Sequence, residues 1–394
     1  MINTKVVIGA NFGDEGKGLM TDYFCSQFPG DRPVLNVRFN GGAQAGHTVV
    51  TPNGQRHVFG HIGSGSFLPN VATYLSSDFI INPILFRREY EKLEAMGIRP
   101  LVYVHPRCLL TIPQDMMINQ MVERHRGHER HGSCGVGIFE TLYRSKADGA
   151  IHIDHASKQS TITRLTDRDY SSWHMTCLGV TKIEEKDKML LSNQNIAARY
   201  YQDVLFLKAH TVITDESILR RYDNVVFEGA QGLLLDQNNL DYFPHLTPSN
   251  TGVQNIIDLL KCNLSALRLE VCYVSRPYFT RHGAGAFHTE CPREFVGACV
   301  DATNHLNEFQ GNFRYGYFDA PEFVSAVKKD MSMIPSDIAD YSIAFTHADE
   351  TNETIVCKGS RIPIRNWITP KFLGLQVKYI SFGTTRSHVK NLMN

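Results

Sequence analysis

Near its N-terminus the chain reads Val6-Val7-Ile8-Gly9-Ala10-Asn11-Phe12-Gly13-Asp14-Glu15-Gly16-Lys17-Gly18, and this stretch constrains the fold more than any other. The apolar, β-branched run has the composition of a buried strand. The glycines after it let backbone N–H groups converge on an anion. A helix predicted over Gly18–Ser26 turns its N-terminus toward the same point, and Lys17 adds a compact positive charge. The loop is not a Walker A motif, G-x-x-x-x-G-K-[ST]. Asn11 stands at the first glycine position, and Gly18 follows the lysine where a Mg²⁺-binding hydroxyl would be. An acid, Asp14, lies inside the turn instead.

The same texture recurs. Short apolar runs at Lys5–Gly9, Val34–Phe39, Leu101–His105, Val225–Phe227, Leu269–Val274, Ser342–Phe345 and Tyr379–Phe382 read as strands. Helical spacing marks Pro83–Met96, Thr251–Lys261 and Ala320–Lys329. Buried strands alternating with helices predict an α/β fold, a large mostly parallel sheet covered on both faces. Ligands then gather at the carboxyl ends of the strands. A second Gly-rich turn, Asn40-Gly41-Gly42-Ala43-Gln44-Ala45-Gly46-His47-Thr48, follows the next strand and delivers a histidine suited to proton transfer or hydrogen-bond donation.

Composition narrows the function. Among 394 residues, 40 basic side chains balance 40 acidic ones, so no net field exists to hold a polynucleotide or an anionic membrane surface. No stretch approaches the ~18–20 apolar residues of a membrane span. The N-terminus reads as a first strand, without the features of a signal peptide. The nine cysteines, scattered and without a C-x-x-C pair, indicate reduced thiols in a cytoplasmic compartment. Residues 146–221 are polar and weakly periodic, with one helix near Asn193–Ala209. They are expected to form a partly helical insertion within a single domain spanning residues 1–394.

These blocks resemble the adenylosuccinate synthetases. Gly13–Gly18 and Ala45–Thr48 carry the likeness, and it continues through Phe227-Glu228-Gly229-Ala230-Gln231-Gly232 with Leu234-Leu235-Asp236. Thr247-Pro248-Ser249-Asn250-Thr251 and Thr280-Arg281-His282-Gly283-Ala284-Gly285 to Glu290 follow in the family's order. The resemblance implies a P-loop-NTPase-like sheet, a homodimer and a Mg²⁺-dependent ligase joining L-aspartate to IMP at the expense of GTP. Asp14 is then the base that removes the purine N1 proton and a Mg²⁺ ligand, with the Gly46 carbonyl as another. His47 stabilises charge moving onto O6 and the β–γ bridge, and Lys17 holds phosphates. The triphosphate site comprises Gly13, Glu15, Gly16, Lys17, Gly18, Gly46, His47 and Thr48, with Asp349, Ser381 and Gly383 around the guanine. The purine monophosphate falls to Asp14, Gln44, Ser133, Cys134, Gln231, Leu235 and Thr247, with Arg144 as the arginine lent by a partner subunit.

The departures are specific. Where the family has Thr-Thr-Gly and a run of arginines for aspartate, this chain has Phe309-Gln310-Gly311-Asn312-Phe313-Arg314-Tyr315-Gly316-Tyr317-Phe318-Asp319. Arg314 is the one arginine retained, so Arg314, Arg281 and Gln310 are the candidates for the amino acid, with Arg276 a further cation. Gln44 replaces the phosphate-contacting asparagine, Ser133-Cys134 a Thr-Thr pair, and Thr346-His347 a Thr-Lys. Such drift is similar to a phage-encoded branch of the family, which joins aspartate to dGMP and makes the precursor of diaminopurine. The acceptor is therefore IMP or (d)GMP. ATP or dATP in place of GTP, and another amino donor, stay open, and the cytoplasm is that of the organism or of an infected host cell. A rival GTPase or kinase-like reading wants a hydroxyl on Mg²⁺, which Gly18 denies. A decayed binding protein would not need to keep both Asp14 and His47. The charged clusters Arg124–His131 and His152–His155 match no tetrahedral ligand set and read as solvated surface.

Overall fold

Strand β1 (Ile2–Gly9) occupies the middle of the sheet, and its alternation explains why helices cover both faces. Val6 and Ile8 point to one side, Val7 to the other, and all three are fully buried. A run that is apolar at every position can be satisfied only by packing above and below. The computed structural model describes residues 2–147, 150–153, 156, 168–180, 182–260, 267–299, 309–335, 337–367, 375 and 377–393.

Nine further strands complete the main sheet: β2 (Val34–Arg38), β3 (Val71–Leu75), β4 (Leu101–Val104), β5 (Val212–Ile213), β6 (Asn224–Gly232), β7 (Leu267–Ser275), β8 (Ala339–Phe345), β9 (Val377–Ser381) and β10 (Val389–Asn391). Their spatial order is β10-β9-β8-β7-β1-β6-β2-β3-β4-β5. All pairings are parallel except the last, β9 with β10. The fold is thus the mostly parallel α/β sheet flanked by helices that the strand–helix alternation predicts.

Helix α1 (Lys17–Ser26) packs Met20, Phe24 and Cys25 against Val7, Val34 and Val226 on one face. The opposite face is covered by α6 (Gln254–Leu260) and α7 (Ala320–Met331), through Ile256, Leu260, Phe323 and Val327. Each such side chain contributes about 1.5–3 kcal/mol by leaving water. Helix α2 (Pro83–Ala95) begins at Asn82, whose side chain accepts from the N–H groups of Ile84 and Leu85, with proline at the first helical position. Helices α3 (Pro113–Arg126) and α4 (Ile138–Ala147) precede the polar middle.

That middle is woven into the main body. Tyr200, Val204 and Leu207 of α5 (Gln194–Ala209) are buried with Phe86, Tyr90 and Leu93 of α2, and β5 adds an edge strand to the sheet. Asp154 and His155, from the second charged cluster, lie outside the described residues. Among the described residues no helix is long and apolar enough to cross a membrane.

Candidate active site at the carboxyl edge of the sheet

The turn after β1 is folded around one of its own side chains. Glu15 is almost completely buried, and its Oε1 accepts from the N–H groups of Asn11 (3.0 Å) and Gly13 (2.8 Å). Lys17 Nζ donates to Oε2 at 2.6 Å. A Cβ at Gly232, on neighbouring β6, would stand 2.5 Å from Glu15 Oε1, so only glycine leaves room for this carboxylate. Glu15 therefore organises the loop from within and holds Lys17 at its mouth. Its carboxylate is taken up by the loop's own donors, so any part it has in holding the triphosphate falls to its backbone.

Asp14, next to it, adopts a left-handed conformation (φ 61°). Its carbonyl accepts from Arg276 Nε at 2.6 Å. Burial raises the Asp14 carboxyl above the usual range, against the pull of Arg276 and Lys17. A carboxylate made more basic while remaining beside cations is what a general base requires.

The turn after β2 brings His47 against the first turn of α1. A Cβ at Gly18 would lie 3.0 Å from His47 Cβ and 3.1 Å from the Thr48 carbonyl. The hydroxyl residue of a Walker A loop would be crowded here, and His47 would have to give by a few tenths of an ångström to admit it. The imidazole Nδ1 is 2.5 Å from Glu228 Oε1 on β6. Glu228 also accepts from Ser64, through its N–H at 3.0 Å and through its hydroxyl, and lies 3.9 Å from buried Arg38. Burial pushes Glu228 up, but Arg38, His47 and Ser64 outweigh it and hold the acid near 2. Burial and Arg38 lower His47 to about 4, against Glu228. Glu228 is thus the ionised acceptor, which assigns the Nδ1 proton to His47 and leaves Nε2 for the ligand side.

The C-terminal end of β6 presents Gln231, the residue before its last, at φ 59°. Its Oε1 and both amide atoms of Gln44 are buried without hydrogen-bond partners, and they flank Gly41. Buried amides left unpaired carry a desolvation cost that a bound ligand would relieve. Gln44 borders a cavity of about 180 Å³, also lined by Gly41, Ile138, Leu142, Ser249 and Asn250. Asn40 ties the turns together, donating to the carbonyls of Ala230 (3.1 Å) and Asn250 (3.0 Å). Leu235 and Thr247 are joined by a backbone bond of 2.9 Å, and Asp236 accepts from the Thr251 N–H at 2.7 Å.

The turn after β8 completes the rim. Thr346 donates its hydroxyl to the Glu15 carbonyl at 2.6 Å, and the Ala348 N–H donates to the Ser381 carbonyl at 3.1 Å. Ser381 in turn donates to the Gly383 carbonyl at 2.8 Å, while Asp349 is exposed. Loops that are far apart in sequence, after β1, β2, β6, β8 and β9, therefore converge at one edge. A sequence profile of the adenylosuccinate synthetase family matches residues 6–339, the span that holds the loops after β1, β2 and β6.

The chain belongs to the adenylosuccinate synthetase family. The adenylosuccinate synthetase of Mesoplasma florum is 30% identical over 343 residues, covering 83% of this chain and 74% of that protein. The enzyme of Histophilus somni is 28% identical over 374 residues, covering 92% and 81%. Among solved structures, fully ligated adenylosuccinate synthetase from Plasmodium falciparum superposes with a TM-score of 0.74 at 20% identity, covering 98% of this chain and 99% of that one. Succinoaminodeoxyadenylate synthetase (PurZ) of cyanophage S-2L, bound to dGMP and dATP, gives 0.62 at 15% identity, covering 99% and 95%. Both structural likenesses are likenesses of fold. The protein is a ligase of the adenylosuccinate synthetase type.

Within this synthetase several expected ligand contacts have other work. Arg144 is fully buried, its Nε and Nη2 donating to Asp115 at 2.9–3.2 Å and its Nη2 to the Leu110 carbonyl. A side chain so enclosed cannot be lent to a partner subunit. Arg281 is also buried, donating to the carbonyls of Ala286 (2.7 Å) and His245 (3.1 Å) and lying over the rings of Phe12 and Tyr242. Arg314 pairs with Glu290 and donates to the carbonyls of Gly283 (3.0 Å) and Gly285 (2.8 Å). Both arginines are struts of the loops that follow β7, where an aspartate-binding role was expected. Gln310 packs its backbone against Gly283, beside the same struts. Ser133 donates to Asn119 at 2.7 Å, and burial pushes the Cys134 thiol up to about 11, which keeps it neutral.

Glu228, Arg38 and Ser64 were missed as site residues. The available signal was Glu228 itself, an acid at the end of an apolar strand, which has to find a partner when buried. His282 is another: its Nε2 is buried without a hydrogen-bond partner, and it is one of the groups whose charge acts on Asp14.

Proposed function

We propose that this ligase phosphorylates O6 of a 6-oxopurine mononucleotide, IMP or (d)GMP, with GTP, and then replaces the phosphate with the amine of L-aspartate. The observation that carries the reading is the junction at Gly18, where the Asp14 loop meets His47, itself held by Glu228. A lactam carbonyl is a poor electrophile, so its oxygen must first become a leaving group. Asp14, raised by burial, takes the N1 proton, and O6 attacks the γ-phosphorus as GDP departs. His47 faces the developing charge through Nε2. A bound polyphosphate opposes Arg38 and the burial that keep the ring neutral, and so favours the imidazolium that can donate there. The amine then attacks C6, and phosphate leaves.

Mg²⁺ fits the residues present. Among the described residues no cluster of three or more His, Cys, Asp or Glu side chains is placed to hold a metal alone. Mg²⁺ is usually held by one or two protein oxygens together with substrate phosphates, and Asp14 and the Gly46 carbonyl supply that number. When bound, the ion would neutralise phosphate charge. Lys17, kept at the loop mouth by Glu15, supports the same phosphates. With Arg281 and Arg314 holding loop carbonyls, Arg276 and His282, two of the groups whose charge acts on Asp14, are the candidates for the amino acid carboxylates.

GTP is favoured by Asp349, the match to the family acid that selects guanine, in the turn joined to Ser381. A homodimer is expected from the family. The test is phosphate release and product mass for IMP, GMP and dGMP, each with GTP or ATP and with or without aspartate. Product requiring all three substrates supports the reading. Phosphate released from triphosphate alone, with no dependence on mononucleotide or amino acid, would overturn it in favour of a simple nucleotide hydrolase.

A further inference from the structure

Helix α2 carries a buried acid that touches none of the groups assigned above. Glu89 accepts from three consecutive backbone N–H groups, Gly60 at 2.9 Å, His61 at 2.7 Å and Ile62 at 3.2 Å. His61 Nδ1 is also within 3.2 Å, and its Nε2 accepts from the Asn82 N–H at 3.0 Å, so the imidazole is fixed from both ends. His57 lies 3.9 Å away. Burial would push Glu89 up, but His57, His61 and the backbone donors hold it near 2 and therefore ionised. A carboxylate meeting several N–H groups makes short, strong bonds and fixes the turn it grips.

That turn has two connections to His47. Phe59, immediately before Gly60, is the cross-strand partner of His47 in the hairpin His47–Val50/Arg56–Phe59. Beyond Ile62, whose carbonyl accepts from Arg38 at 3.5 Å, Ser64 donates twice to Glu228, the acceptor for His47. We infer that Glu89 is a positioning residue for His47, acting through the 60–64 turn on both the hairpin and Glu228. Released from Glu89, the turn would carry Phe59 and Ser64 with it, and the imidazole would lose its aim while every reacting group remained present. Misplacement of a catalytic group by about 1 Å costs on the order of 100-fold in rate.

This inference rests on the ligase reading, and the experiment separates the two. Glu89→Gln keeps the size of the side chain but sets an amide N–H₂ against backbone donors. It is made alone and in a His47→Ala background, and kcat and each KM are measured for the full enzyme. The expected result is a kcat loss of about 10–100-fold in the single variant, with KM values changed less than about threefold, and little further loss in the His47→Ala background. A downfield Nδ1 proton signal of His47, present in the wild type, should shift or broaden in Glu89→Gln, a readout independent of turnover. Equal losses in both backgrounds, or an unchanged kcat and proton signal, would overturn the inference. Where Glu89→Gln is recovered unfolded, the same cycle is run with Glu89→Asp, which keeps the charge and shortens the reach. A wild-type protein with no ligase activity would instead sink the ligase reading, leaving the His47 signal as the deciding test of this one.

Discussion

Gly18 and His47 are in contact across the mouth of the site: a side-chain carbon at position 18 would sit 3.0 Å from the imidazole-bearing Cβ. The loop cannot be converted to a Walker A sequence without moving the histidine. Gly18→Ser displaces the histidine by a few tenths of an ångström and should lower kcat by about 10-fold, short of the ~100-fold cost of a full 1 Å displacement, without creating triphosphate hydrolysis. Steady-state assays of ligation and hydrolysis check both parts.

Asp14 sits where burial raises its carboxyl and its own backbone carbonyl is pinned by Arg276. Asp14→Asn removes the base and leaves the cradle. Turnover should fall by at least about 10²–10⁴-fold while triphosphate affinity changes less than about fivefold. Titration calorimetry beside kinetics separates the two effects, and a fully active variant would remove Asp14 from the chemistry.

Arg144 offers a test of burial against resemblance. Its partner Asp115 is fully buried and also accepts from the Ile112 N–H and the Thr141 hydroxyl. Arg144→Ala leaves that carboxylate without its cation, a loss of about 3–5 kcal/mol. Urea unfolding should show this, with the mononucleotide KM of the folded enzyme unchanged. An arginine lent to a neighbouring subunit would behave in the opposite way.

Arg276 and Arg281 should part company in the same manner. A lysine at position 276 keeps the charge but loses the fork, so the KM for the amino acid should rise about 10–100-fold. Arg281→Lys removes a strut between the carbonyls of Ala286 and His245 and should act on the unfolding midpoint first. Amino acid titrations at saturating nucleotides distinguish them.

Asp330, on α7, accepts from the Val253 N–H at 3.0 Å and from the Tyr273 hydroxyl at 2.8 Å, yet burial raises it to about 6. The folded state therefore binds its proton more tightly than the unfolded chain, whose carboxyl titrates near 3.8. The contribution to stability is full below that lower value and is lost as the pH rises through about 6. Asp330→Asn does not titrate, so its stability relative to wild type should improve between pH 4 and 7 by at most about 3 kcal/mol. Urea unfolding of both proteins at pH 4 and pH 7 measures the change.

The fold was legible where buried strands are apolar at successive positions. Val6-Val7-Ile8 and Leu269–Val274 announce the centre of a parallel sheet, and helices α1, α2 and α7 follow from their spacing and, for α2 and α7, from Asn82-Pro83 and Asp319-Ala320-Pro321 at their starts. Val71–Leu75 escaped because threonine and tyrosine interrupt a short run, and β5 because two residues carry no period at all. At the site, Asp14 and His47 were visible because glycines surround them. The fate of the arginines was not, because charge type does not reveal whether a guanidinium meets a ligand or a carbonyl. Arg144, Arg281 and Arg314 all donate to acceptors within the chain, and only three-dimensional neighbours could say so.

The two outer strands of the main sheet, β5 with two residues and β10 with three, are too short to template much of anything. An incoming segment would gain only a couple of ladder bonds at either margin of the main sheet, whatever the concentration. What these margins withhold from a neighbour they spare the scaffold that aims the chemistry, whose central strands are paired on both sides.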